Sequence, residues 1–302
     1  MDAEPQGRTP PSSVAARAAR SRTPLLTWGT VALVLVIVVI LVVFKLTGTS
    51  TTATSDTTPV YQEAPAAVVQ AVTGIRPSVF DAVGVASPDA AVTPPTALHG
   101  QPALTSGGKP EVLFVGSEPC PYCAAMRWAV VAALSRFGTF SGLDSMQSAS
   151  SVAFGGTPTF TFVATRYKSR YVTARLVERY GTQKNSAGTS YAVLEPLDSS
   201  DRALLARYGD PAPGAGPLLP FLDVGNRAVV DGGSFSPAIL QQLSASEIAT
   251  GLSDARDPST QAIVASANYI SASVCAADGE RPATVCGSRG VAAAAAAMDL
   301  GS

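Results

Sequence analysis

The chain is poor in the side chains that most often do chemistry: its 302 residues include one histidine and four cysteines. A zinc knuckle needs two close ligand pairs. Cys120 and Cys123 are closely spaced, but Cys275 and Cys286 are not and His99 stands alone, so no metal is expected. Surplus charge is also missing. With 21 basic against 22 acidic residues, the chain lacks the positive footprint that binding a phosphate backbone requires, which excludes nucleic acid as a partner. Lysine is scarce beside abundant alanine, valine and glycine, a bias that a GC-rich genome produces and that carries no function. There is no internal repeat, and no organic cofactor is expected.

One long apolar run stands out against this background. Residues 25–44, LLTWGTVALVLVIVVILVVF, carry no charge and at 1.5 Å per residue match the ~30 Å hydrocarbon core of a bilayer. A cleaved signal peptide would have an apolar region of about 7 to 15 residues and a small-residue cleavage site, a pattern that the following LTGTSTTATSD fits poorly. The run therefore reads as a single transmembrane helix. Arg8, Arg17, Arg20 and Arg22 precede it against Asp2 and Glu4, and only Lys45 follows before Asp56. By the positive-inside rule, residues 1–24 are a cytoplasmic tail and everything after the run is extracytoplasmic. Cysteine pairs persist as disulfides in such a compartment.

Residues 45–63 are rich in Thr and Ser and read as a flexible tether. The expected folded domain covers 64–290, with an insertion around 165–215 and a C-terminal tail at 291–302. Val68, Val72 and Ile75 suggest short helices, and the Pro-rich passage 87–110 reads as irregular chain. Residues 112–115, VLFV, have the pattern of a strand buried on both faces. Met126, Val130, Leu134 and Phe137 then recur at helical spacing, which predicts a helix from the cysteines to near Gly138. TFTFVA (159–164) alternates like a half-buried strand, and 171–177 offers a second. Residues 198–208 read as a helix. LLPFLDV (218–224) and RAVV (227–230) predict a hairpin on a two-residue Gly225-Asn226 turn. Ser236-Pro237 and Asp257-Pro258 mark helix starts, the second before Ile263, Ala267, Ile270 and Val274. The alanines of 292–297 are helical by propensity or fray at the chain end.

The order strand, turn, helix around GSEPCPYCAAMRW (116–128) gives two sulfurs unequal work. Cys120 falls among unpaired backbone N–H groups at the positive end of the helix dipole, which favours thiolate over thiol. Pro121 suits the first helical position, where a missing N–H costs nothing. Cys123, one turn in and facing the core, can attack a mixed disulfide on Cys120 and release the substrate. Cys120 is thus read as the nucleophile and Cys123 as the resolving thiol. A merely structural disulfide across so small a loop would stabilise little. Cys275 and Cys286 have no strand leading into them and read as a structural disulfide, with an auxiliary redox pair as the alternative.

The cysteine turn resembles a thioredoxin-type active site. That resemblance implies a cis proline opposite the cysteines, with the residue before it offering its backbone to an extended substrate. Pro220, preceded by Leu219, fits that place; TFTFVA is then the preceding parallel strand and 198–208 the crossover helix. Pro158, the other candidate, reads as a loop-to-strand proline. Pro121, Tyr122 and Leu219 are the expected substrate contacts. Phe114 stands where thioredoxins carry a buried aspartate, and Glu118, a nearby carboxylate, reads as a solvated loop acid. His99 reads as a loop residue.

A wider resemblance rests on residues 108–138, on TPTFTF, on Tyr167, Ser169, Tyr171 and Val172, and on ANYISASVC and PATVC. Over roughly residues 60–290 these resemble the DUF929 family of archaeal and actinobacterial proteins, a domain of unknown function with thioredoxin-like character. The expected fold class is α/β: a thioredoxin-like mixed sheet flanked by helices, with an N-terminal transmembrane helix. The expected function is a membrane-anchored, extracytoplasmic thiol–disulfide oxidoreductase acting on exported cysteine-containing proteins, with a redox partner in the membrane. The alternatives are a non-catalytic binding module of the cell envelope and a dedicated electron donor to haem or copper maturation.

Overall fold

The computed structural model describes residues 61–86, 90–209 and 218–300, all within the unit Pro59–Ser302. Strand β1 (Gln62–Glu63) leads into helices α1 (Ala66–Thr73) and α2 (Pro77–Val83). Short strands β2 (Thr96–Ala97) and β3 (Thr105–Ser106) precede β4 (Lys109–Gly116), which feeds helix α3 (Pro121–Leu134). There follow β5 (Gly138–Ser141), β6 (Asp144–Gln147), β7 (Pro158–Thr161), β8 (Arg166–Ser169), β9 (Thr173–Glu178), β10 (Tyr180–Lys184) and β11 (Tyr191–Val193). Helix α4 (Ser199–Tyr208) comes before the hairpin of β12 (Phe221–Val224) and β13 (Ala228–Asp231). A 3-10 turn (Pro237–Leu240) and helices α5 (Ala245–Gly251), α6 (Pro258–Asp278), α7 (Ala283–Cys286) and α8 (Arg289–Ala297) close the order.

β4 is central because its apolar run has no polar face to offer water. Val112, Leu113, Phe114 and Val115 are all fully buried. Successive residues of a strand point to opposite faces: Val112 and Phe114 join the side chains of α3 and α6, while Leu113 and Val115 pack with Phe221, Val229 and Leu205 of α4. Burying each such side chain is worth roughly 1.5–3 kcal/mol. β12 lies antiparallel beside β4 with Phe221 opposite Val115, and β9 lies parallel on the other side with Val177 opposite Val115. β13 and β2 extend the sheet beyond β12.

α3 is buried along its length except at Tyr122, so it reads as a core helix rather than an amphipathic one. α6 packs against it. Asp257 caps α6 by accepting the Thr260 N–H at 2.9 Å, Pro258 opens its first turn, and Gly279 ends it at φ 71°, a left-handed conformation that glycine adopts without a Cβ penalty. A Cys275–Cys286 disulfide ties the last turn of α6 to α7.

The expected fold class is corrected in its sheet. In place of one thioredoxin-like sheet, the described residues form a mixed α/β arrangement with several sheets: the six-stranded sheet of β4, a three-stranded sheet β1–β6–β7, and the two-stranded pairs β5–β8 and β10–β11. No helix among the described residues is long and apolar enough to cross a membrane; the run 25–44 expected to be transmembrane lies outside the described residues, as does the tail before it. TFTFVA does not supply the parallel neighbour of β4. Its residues 159–161 fall in β7, antiparallel to β6, and the parallel partner of β4 is β9. The alternation misleads because β7 is buried on both faces: the hydroxyls of Thr159 and Thr161 donate to Ala124 O and Glu118 Oε1, each at 2.7 Å, instead of facing water. α4 lies, after β10 and β11, on the connection from β9 to β12, two strands of opposite direction, and is not a crossover between parallel strands.

Smaller differences follow the same logic. The hairpin register sets Val224 opposite Ala228, so Gly225, Asn226 and Arg227 form a three-residue turn, with Gly225 at φ 62° and Asn226 at φ 53°. The passage read as irregular chain contains β2 and β3, and the alanines of 292–297 belong to α8, whose Val291 and Ala294 are buried.

Candidate active site

The end of β4 and the start of α3 position the two thiols. Cys120 is the N-cap of α3: its backbone is extended and its Sγ accepts the Cys123 N–H at 3.2 Å. Across the site its thiol donates to Leu219 O at 3.6 Å, and the Leu219–Pro220 peptide is cis. Cys120 is half-buried, Cys123 is fully buried, and both are free thiols. The Cys120 pKa is drawn from 9.0 down to about 7, first by the hydrogen bond from the Cys123 thiol and then by the Cys123 N–H, Arg127 and the Tyr122 N–H, against the opposing effect of burial. Burial pushes the Cys123 thiol well up, and its donation to Cys120 pushes in the same direction. The same helix turn thus favours thiolate at Cys120 and holds the proton on Cys123.

The rim of the site is apolar. Tyr122 is 38 % exposed and meets Phe154 edge to face with ring centroids 6.2 Å apart. It lies over Gly233, where a Cβ would come within 2.6 Å of its Cδ1. Leu219 is half-buried, whereas Pro121 and Pro220 are buried. Pro121 shapes the helix start at its first position and is itself buried. Pro158 opens β7, and its carbonyl accepts the Trp128 Nε1–H at 2.9 Å. His99 lies on an exposed loop.

Behind the thiols is a buried charge cluster. Arg127 and Glu178 are both 0 % exposed and form a two-pronged pair, Nε to Oε1 at 2.8 Å and Nη2 to Oε2 at 2.7 Å. Burial opposes the Arg127 charge, but the Glu178 carboxylate more than outweighs it and raises the guanidinium pKa. Glu178 is delivered by the parallel pairing of β9, which sets it opposite Gly116; a Cβ at position 116 would approach Glu178 Oε2 to 3.3 Å and Phe114 Cε1 to 2.5 Å. Glu118, read from sequence as a solvated loop acid, is fully buried. Its Oε1 accepts from Thr161 Oγ1, and burial raises its pKa despite that bond.

These elements, from the loop before β4 to the strands after α3, fall within a recognised segment. Residues 99–196 match the family model of DUF929, a domain of unknown function. No curated protein and no solved structure matches the chain. The DUF929 segment is about a third of the chain, narrower than the resemblance drawn over 60–290. It contains Cys120, Cys123, Arg127 and Glu178 but stops before Leu219, Pro220 and the Cys275–Cys286 disulfide.

The structure brings together Cys120, Cys123, Tyr122, Leu219 and Pro220, all read from the sequence, and sets beside them Arg127, Glu178, Phe154 and Gly233, which were not. Arg127 did leave a signal, as the lone charge in CAAMRWAVVAAL. Glu178 left none, since its place depends on strand pairing across the fold. Among the described residues, the grouping with ligand atoms close enough for a metal is Cys275, Glu280 and Cys286, and there the two sulfurs are bonded to each other.

Proposed function

We propose that this chain is a thiol–disulfide oxidoreductase that exchanges disulfides with exported cysteine-containing proteins through Cys120 and Cys123. The observation that supports this reading is the inequality of the two thiols: Cys120 is half-exposed with its pKa drawn to about 7, and Cys123 lies buried behind it with its proton held. The Cys120 thiolate attacks one sulfur of a substrate disulfide, forming a mixed disulfide and releasing the other substrate sulfur as thiolate. Cys123 then gives up its proton and attacks Cys120 Sγ, which frees the second substrate thiolate and leaves Cys120 and Cys123 as a disulfide. The substrate gains the two electrons that the cysteine pair loses; the reverse sequence inserts a disulfide. Leu219 O, opposite Cys120, is the main-chain group placed to meet an extended substrate. A working place outside the cytoplasm accords with the Cys275–Cys286 disulfide, a bond that persists in oxidising compartments.

The test uses the purified full-length chain. Cys120→Ser is expected to abolish both reduction of a protein disulfide and refolding of a scrambled substrate, while Cys123→Ser accumulates a mixed disulfide on Cys120 visible by intact mass. Undiminished activity in Cys120→Ser sinks the proposal.

A further inference from the structure

A buried arginine is costly unless each of its donors is used, because transfer from water removes several strong hydrogen bonds. Arg127 uses one edge of its guanidinium: Nε and Nη2 engage Glu178, which also accepts the Phe162 N–H at 3.2 Å. Nη1 is buried and has no hydrogen-bond partner among the described residues. Its surroundings show what that free edge serves. Residues four apart on a helix share a face with Cβ atoms about 5–6 Å apart, and helical side chains lean toward the N-terminus. Arg127 therefore leans back over the turn that carries Cys123, and its charge bears on both sulfurs.

We infer that Arg127, clamped by Glu178, is the positioning residue that holds a fixed positive charge behind Cys120 and Cys123 and stabilises whichever sulfur is thiolate during exchange. This rests on the proposed exchange at these thiols and deepens it. Cys123 must lose its proton while fully buried, where an unpaired thiolate is strongly disfavoured. A guanidinium with an uncommitted N–H edge one turn away supplies the missing counter-charge without itself giving up a proton, since arginine stays protonated. The Glu178 clamp fixes the guanidinium through Nε and Nη2 and leaves Nη1 uncommitted. The charged and titratable groups around the turn are Cys120, Cys123 and Arg127 on α3, Glu178 at the end of β9 and Glu118 before α3, with Tyr61 and Glu195 behind the carboxylates.

The experiment follows iodoacetamide alkylation of Cys120 against pH in the full-length chain, read by mass of the Cys120 peptide. Wild type is expected to show a midpoint at about 7. Arg127→Gln should move the midpoint up by about one pH unit, making the reaction at pH 7 about fivefold slower, and Arg127→Lys should largely restore it. Glu178→Gln should move the midpoint down, because it removes the negative partner and leaves the cation. A merely structural pair would lower stability in every variant without this opposition of sign. A folded Arg127→Gln with the wild-type midpoint overturns the inference, as does a Glu178→Gln midpoint that stays or rises. If Arg127→Gln does not fold, the Glu178→Gln midpoint decides alone. Alkylation needs no partner protein, so an absence of exchange activity in wild type would remove the oxidoreductase reading while leaving this measurement to stand on its own.

Discussion

Cys120 and Cys123 share one helical turn yet meet opposite environments, and the difference comes from what each touches. Cys120 collects hydrogen bonds at the helix N-terminus and is half-exposed; Cys123 points into the core behind it. A second residue shows burial acting on an acid. Asp223 is fully buried on β12, its Oδ1 accepting the Asn226 N–H at 2.8 Å. Burial raises its pKa from 3.8 to about 6, against the opposing effect of that bond. The folded state thus holds the proton more tightly than the unfolded chain does. The stability this contributes is fully present below about pH 4 and is lost as pH rises through about 6. Asp223→Asn keeps an acceptor for the Asn226 N–H but carries no charge, so it should stabilise the protein by about 2–3 kcal/mol at pH 8 and leave it near wild type at pH 3.5. Urea midpoints at the two pH values check this, and an equal effect at both would refute the electrostatic cause.

At the scale of elements, α3 and α6 form the buried helical layer against which β4 presents Val112 and Phe114. α6 was legible at both ends, because Asp257-Pro258 and Gly279 carry cap chemistry that acts locally. Asp257→Ala removes the side chain that accepts the Thr260 N–H and should cost about 1 kcal/mol. The loss should appear as a lowered denaturant midpoint with the Cys120 alkylation profile unchanged, since the cap is not among the groups that face the thiols. β7 shows where local reading stops. Its Thr-Phe alternation predicted a half-wet strand, but Thr159 and Thr161 satisfy their hydroxyls inside the fold, so a polar residue type did not mean a solvated face. The three-residue turn after β12 is a milder case: Gly225 and Asn226 were recognised as turn formers, but the register that admits Arg227 to the turn is set by the partner strands.

For the whole molecule, the two cysteine pairs divide into an unbonded pair at the candidate site and a bonded pair that ties α6 to α7. The loop closed between Cys275 and Cys286 has a sequence separation of 11, for which chain entropy predicts about 3 kcal/mol. Replacing both with serine should lower stability by about that amount in chemical denaturation while leaving exchange through Cys120 and Cys123 intact; a parallel loss of exchange in the folded variant would mean that the second pair takes part in electron transfer. The sequence by itself determined the features that depend on neighbours along the chain: the buried run of β4, the cysteine pair at a helix start, the caps of α6 and the hairpin. Tertiary structure alone decided which strand runs parallel to β4, that Glu118 is buried, and that Glu178 reaches Arg127 behind the thiols. The physical reason is range. Caps, turns and apolar periodicity act over a few residues, whereas the partner of a buried charge is chosen by strand pairing and packing between segments far apart in the chain.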